Sequence, residues 1–171
     1  MNAPAAPLVV TLRCDGPGWG FCVEKREKHF PAHRNQIPAH LSLFHHLPGE
    51  EFETLCSDVR AAGTSAFDFT VNGVRSLGRG VAFTVDAPPL VELHQILSTK
   101  WNRWLTPQDR SKYSPHITIQ NKAEPAKARE LFRAMEANFS PFALKGIGID
   151  IWYYWGGPWQ PAAYLPFQPP Q

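Results

Sequence analysis

His40-Leu41-Ser42-Leu43 reads His, apolar, hydroxyl, apolar, and the same order returns at His116-Ile117-Thr118-Ile119. In an extended chain successive side chains point to opposite faces, and residues two apart lie about 6.6–7 Å apart on one face. Leu41 and Leu43 would then seat one strand in a core, as Ile117 and Ile119 would seat another. His40 with Ser42, and His116 with Thr118, are left together on the opposite surface. One such tetrapeptide is an ordinary surface pair. Two, in matching places of a chain that repeats itself, point to a shared task.

The repeat shows on reading outward from the motifs. Leu8 to Leu12 predicts a strand, and Phe21 to Phe30 a charged, weakly periodic helix. After the first motif comes a break at Pro48-Gly49, then Phe52, Leu55, Cys56 and Val59 at helical spacing. Glu50 and Glu51 lie in the first turn of that helix, where its dipole favours them. Phe67, Phe69 and Val71 then alternate as in a half-buried strand.

The second half follows the same order. Val81, Phe83 and Val85 alternate, and Pro88-Pro89 opens a helix carrying Leu90, Leu93, Leu97, Trp101 and Trp104 on one face. After the second motif, Pro125 opens a helix with a stripe of Ala128, Leu131, Phe132, Met135 and Phe139. Ile147, Ile149, Ile151, Tyr153 and Trp155 alternate in a last strand. Each half thus reads strand, helix, His-strand, helix, strand. Leu8 to Val81, His40 to His116, Pro48 to Pro125 and Phe67 to Phe142 are separated by 73 to 77 residues. That period is too long for a solenoid repeat. It predicts one internally duplicated domain over 1–171, with lobe 1 at about 1–77 and lobe 2 at about 78–171 facing each other, joined through Arg75 to Gly80.

Composition narrows the class. The 171 residues are 43% apolar and 19% charged, which fits a globular chain with a real core. The net charge of +2 allows a phosphate or a short nucleic-acid end but lacks the basic footprint of a protein that tracks long duplexes. Three cysteines, Cys14, Cys22 and Cys56, are odd in number and lack C-x-x-C spacing, against a disulfide framework or a thiolate zinc site. No secretory signal or membrane-length apolar run is visible, so the expected location is cytoplasmic, without a membrane partner or an obligate protein partner. Many of the seventeen prolines gather near the termini and read as punctuation and tails.

Converging on one cleft, the two polar pairs suit phosphoryl chemistry. A neutral imidazole can take a proton from an attacking oxygen while a protonated one donates to the leaving oxygen. A histidine pKa of about 6.5 makes both forms accessible near neutrality. The hydroxyls can donate to non-bridging phosphoryl oxygens as charge develops there. This chemistry requires neither cofactor nor metal.

Paired H-x-[ST]-x motifs, each on a strand and roughly one lobe apart, closely resemble the two-histidine (2H) phosphoesterases. That superfamily includes the 2′-5′ RNA ligase-like proteins and cyclic phosphodiesterases. The resemblance spans nearly the whole chain, including the aromatic, Pro-rich ending WYYWGGPWQPAAYLPF. It implies an α+β fold of two pseudo-symmetric lobes, each an antiparallel sheet with helices on the outside, flanking a central cleft. It also implies acid/base roles for His40 and His116 and phosphate-binding roles for Ser42 and Thr118. After the second motif stands Gln120-Asn121-Lys122, where relatives place an arginine, and Lys122 would take that contact.

The implied function is a metal-independent phosphoesterase acting on RNA ends or nucleotides. It would open a 2′,3′-cyclic phosphate to a 2′-phosphate, or carry out reversible 2′-5′ RNA ligation at the same site. The alternative is a non-catalytic module that binds an RNA end or nucleotide in the same cleft.

Other signals compete less well. His29, His33, His45 and His46 would gather with His40 in a metal reading, but H-E-x-x-H spacing and a cysteine or carboxylate partner are lacking in the sequence. Gly16, Gly18 and Gly20 follow a strand as in a dinucleotide loop, without that motif's full spacing, and read as a flexible turn. Trp101 and Trp104 read as core, and Tyr113 as the aromatic of the cleft rim. Arg26, Arg34 and Arg110 are phosphate candidates whose default role is a solvated surface one.

Overall fold

The alternating segments form an antiparallel sheet, and the segments of helical spacing pack against it. In a computed structural model describing residues 5–171, the strands are β1 (Leu8–Asp15), β2 (Leu41–Leu47), β3 (Phe67–Ser76), β4 (Val81–Asp86), β5 (His116–Gln120), β6 (Phe142–Tyr154) and β7 (Trp159–Pro166). The helices are α1 (Pro17–His29), α2 (Phe52–Ala61), α3 (Pro88–Trp101), the short α4 (Pro107–Arg110) and α5 (Pro125–Ala137). The fold is α+β, as the resemblance implies.

Strand order is β2-β1-β6-β3-β4-β5, with β7 added to β6, and every pair is antiparallel. The long β6 joins two overlapping halves of this sheet. Along one edge it pairs with β1 from Lys145 to Tyr153. Along the other it pairs first with β3, over Phe142–Gly146, and then with β7, over Gly148–Tyr154. Sheet halves therefore differ from sequence halves: β3 joins β4 and β5, and β6 completes the sheet of β1 and β2.

The helices cross over as well. Helix α1, which follows β1, packs on β5, while α3, which follows β4, lies on β2 through Phe44, whose ring meets Trp101 at 5.1 Å and His94 at 4.7 Å. Each motif strand is thus backed by a helix from the other half of the sequence. Leu8, Leu41, Leu47, Leu90, Leu97, Ile117 and Ile149 are fully buried in the core. Each such side chain contributes about 1.5–3 kcal/mol relative to exposure.

Three expectations change. Gly16 to Gly20 is no flexible turn: Gly16 caps α1 at φ 97°, and Pro17 opens that helix four residues before Phe21. Gly18 lets α1 approach β6, since a Cβ there would sit 2.6 Å from the Ala143 carbonyl oxygen. The Pro-rich ending is no tail, because Trp159–Pro166 is β7. Prolines are compatible with an edge strand, whose outer amides need no ladder partner. Beyond β7, the Ala66 amide donates to the Gln168 carbonyl at 2.8 Å, and the Gln168 amide to Thr64 at 3.0 Å. Trp104 leaves the α3 stripe for the 3-10 turn that follows and is half-buried.

Candidate active site

Both motifs are seated as their alternation requires. Leu41 and Ile117 are 0% exposed, Leu43 1% and Ile119 0%, so each strand is anchored by its apolar pair. His40, Ser42, His116 and Thr118 are half-buried and line one cavity of about 320 Å³. The structure brings the four residues together there.

The two imidazoles are held the same way. His40 Nδ1 lies 2.9 Å from the Pro38 carbonyl oxygen, and His116 Nδ1 lies 2.9 Å from the Ser114 carbonyl oxygen. A carbonyl only accepts, so Nδ1 carries the hydrogen in both rings and Nε2 is the free nitrogen. Burial pushes the His40 pKa down to about 4, against the opposing hydrogen bond to Pro38 and with help from the charges of Arg26, His45 and His116. The His116 pKa is also lowered, by burial first and then by the charges of Arg75 and His45, against the Ser114 carbonyl. An anion between the rings acts with the opposite sign to those cations and raises both values.

Two cross-ties fix the spacing of the motifs. From α1, buried Arg26 donates through Nη1 to the Thr118 carbonyl at 2.9 Å, and through Nε to the Ile37 carbonyl and to Asn35 Oδ1, each at 3.1 Å. From the second half, the Tyr113 hydroxyl donates to the Ser42 carbonyl at 3.0 Å. Each half of the sequence thus grips the backbone of the other half's hydroxyl residue. Arg26 lies away from the cleft surface as a structural tie, and burial lowers its pKa to about 10. Tyr113 does line the cavity, with its ring stacked on His94 at 3.8 Å.

The cations of the cleft are Arg75 and Lys112 rather than those singled out in the sequence. Arg75 stands on β3 and donates to Ser114 Oγ at 3.0 Å, beside the carbonyl that holds His116. Lys122 does not line the cavity; it sits past β5 with φ 58°. Arg110 instead binds the Leu105 and Asn102 carbonyls at 2.9 and 2.7 Å, and Arg34 is exposed in a 3-10 turn.

His45 also lines the cavity, contrary to strict alternation, which would turn it inward with Leu41 and Leu43. The register explains this. Thr11 pairs with Ser42 but Val10 pairs with Phe44, so Leu43 is an extra residue and β2 bulges there. The bulge puts Phe44 in the core and re-aims His45, a use of bulges common beside functional sites. His45 Nδ1 lies 2.8 Å from Oδ1 of buried Asp109, which also accepts from the His45 and His46 amides at 2.9 and 3.2 Å. These bonds outweigh burial and lower the Asp109 pKa. No sequence signal joins His45 to Asp109, because their link is set by tertiary packing.

Trp159 has no sequence signal either. Its ring lies 4.7 Å from that of His40, and Trp152, bonded through Nε1 to Thr11 Oγ1 at 2.9 Å, lies 6.1 Å from Trp159.

Comparisons with known proteins agree with this architecture. LigT of Escherichia coli complexed with 3′-AMP superposes with a TM-score of 0.64 at 14% identity, over 97% of this chain and 99% of that one. A protein of Thermus thermophilus gives 0.64 at 16% identity over 96% and 100%. Usb1 of Kluyveromyces marxianus with uridine monophosphate gives 0.51 at 10% identity over 93% and 99%. At these identities the likeness is one of fold. No curated protein sequence matches at a significant level. A family model does match, that of the 2′-5′ RNA ligase superfamily, over residues 14–158 and thus across both motifs; the chain belongs to that superfamily.

Proposed function

We propose that the protein is a metal-independent phosphoesterase of RNA ends or nucleotides that opens a 2′,3′-cyclic phosphate to a 2′-phosphate. The observation that carries this reading is the matched pair of imidazoles, each held at Nδ1 by a carbonyl, each with a hydroxyl two residues on, around one cavity. With Nδ1 occupied, a neutral ring offers a lone pair at Nε2 and a protonated ring offers a hydrogen there. One Nε2 takes the proton of a water that attacks phosphorus; the other gives its proton to the 3′ oxygen as the P–O3′ bond breaks. The Ser42 and Thr118 hydroxyls donate to the non-bridging oxygens. Arg75 and Lys112 make the cleft attractive to an anion. With an RNA hydroxyl in place of water, the same steps join a 2′-5′ bond, and in reverse they cleave it. The nucleotide complexes of LigT and Usb1 support a nucleotide ligand here.

The test is end-labelled RNA bearing a 2′,3′-cyclic phosphate, incubated with the protein in EDTA, with the position of the product phosphate identified. A 2′-phosphate product is expected. No turnover across cyclic and 2′-5′-linked substrates would leave the non-catalytic binding module as the better description, and a 3′-phosphate product would reverse the leaving group.

A further inference from the structure

The acid–base scheme leaves the exposed imidazole of the cleft, His45, unused. The His45 imidazole is bonded at Nδ1 to a carboxylate whose side chain is only 1% exposed, while its own side chain is 42% exposed. Asp109 is spent on that ring and on two backbone amides, and its own amide is held by Thr106 Oγ1 at 3.4 Å. The carboxylate is therefore fixed, and so is the ring it holds. With Nδ1 engaged, Nε2 is the atom left for a ligand. A bulge interrupts the sheet ladder to aim this side chain at the cavity. Lys112 and Ser111 line the same cavity, so a cation and a hydroxyl accompany the ring.

Position selects the ligand. Ser42 and His45 are successive cleft-facing residues of β2, about one same-face step of roughly 7 Å apart along the strand, plus the residue that the bulge inserts. The sugar and ester bonds between successive phosphates of a nucleic-acid strand span a comparable distance. An anion on His45 therefore lies one nucleotide unit from an anion held at Ser42.

We propose that His45, held by Asp109, binds a second, non-reacting phosphate, the one 5′ to the reacting nucleoside. Substrates that carry phosphate on both sides of the terminal nucleoside are then preferred over bare cyclic nucleosides. In this complex the ring lies between two anions, with Asp109 on Nδ1 and the phosphate on Nε2. The inference rests on the proposed function for its choice of reacting group.

The test compares adenosine 2′,3′-cyclic phosphate with its 5′-phosphorylated form, in EDTA, for the wild type and His45→Gln. His45 is half-exposed, and glutamine keeps a polar side chain of similar reach. The wild type is expected to favour the 5′-phosphorylated substrate by about tenfold or more in kcat/KM, expressed mainly in KM, as for a hydrogen bond to a charged group. His45→Gln is expected to erase that preference. Equal wild-type values, a preference that survives the substitution, or an equal fall in kcat on both substrates would each overturn the subsite. If the wild type hydrolyses neither substrate, the proposed function fails by itself. The subsite is then read by calorimetry with adenosine 2′-phosphate and adenosine 2′,5′-bisphosphate: tighter binding of the bisphosphate by the wild type but not by His45→Gln upholds it, and equal binding overturns it.

Discussion

The strands β2 and β5 carry the same four-residue chemistry in unequal surroundings. Both bury their apolar pair, both hold the histidine through the carbonyl two residues back, and both are backed by a helix from the opposite half of the sequence. Around that shared core they diverge. Strand β2 bulges, turns His45 outward and has Trp159 against His40. Strand β5 has Arg75 near His116, held through Ser114, and its hydroxyl residue is gripped by Arg26. The symmetric part is what paired proton transfer needs, since neither imidazole can do both jobs in one step. On the proposed function, the asymmetric part is what would tell apart the two chemically different ends of a ligand.

The largest expected effect tests the symmetric core. His40→Ala and His116→Ala should each lower kcat on a cyclic phosphate by at least about 10²-fold, the range of acid–base catalysis. A near-wild-type rate in either would make that strand a bystander and break the symmetry. Next come the hydroxyls: Ser42→Ala and Thr118→Ala should each lower kcat/KM by about ten- to a hundredfold, the range for losing a donor to a charged oxygen. Losses confined to one of them would place the phosphoryl oxygens on one side of the cleft.

A third effect is on stability. His94, on α3, is 8% exposed, stacked between Phe44 and Tyr113, and burial pushes its pKa down to about 4. The folded state therefore binds fewer protons than the unfolded state between its folded value and the ordinary histidine value of about 6.5. Stability from this group is full above about pH 6.5 and is lost as pH falls toward 4, to a total of about 3 kcal/mol. Urea unfolding across that window should show the decline, to which His40 and His116 add in the same direction. His94→Phe, which keeps the ring but cannot titrate, should make it shallower by the His94 share. An equal decline in the variant would assign the effect elsewhere. The smallest effect is that of Tyr113→Phe, which removes the bond to the Ser42 carbonyl and should cost about 1 kcal/mol of unfolding free energy.

What the sequence disclosed was whatever local pattern encodes. Period-two alternation marked β4 and β6, prolines marked the starts of α3 and α5, and the duplicated tetrapeptides marked four residues that now share a cleft. What it hid depends on tertiary pairing. The exchange of β3 and β6 between sheet halves leaves no local trace, because a strand's alternation does not name its partner. The bulge at Leu43 shifts the pleat by one residue, so parity alone puts His45 on the wrong face. Arg26 looks like a surface cation in the sequence, whereas two oxygens of the loop after α1, from Asn35 and Ile37, and the Thr118 carbonyl of β5 satisfy it inside the molecule. Strand β7 is masked by prolines, which an edge position tolerates.

The most direct test of the paired-imidazole account is the pH dependence of kcat/KM on a 2′,3′-cyclic nucleotide in EDTA, which reports the ionisations of the free protein. The expected result is a bell whose two limbs belong to the coupled pair and whose maximum lies below pH 6.5, because both rings are held below the ordinary histidine range. A rate that is flat with pH, or that climbs steadily into alkali, would contradict it.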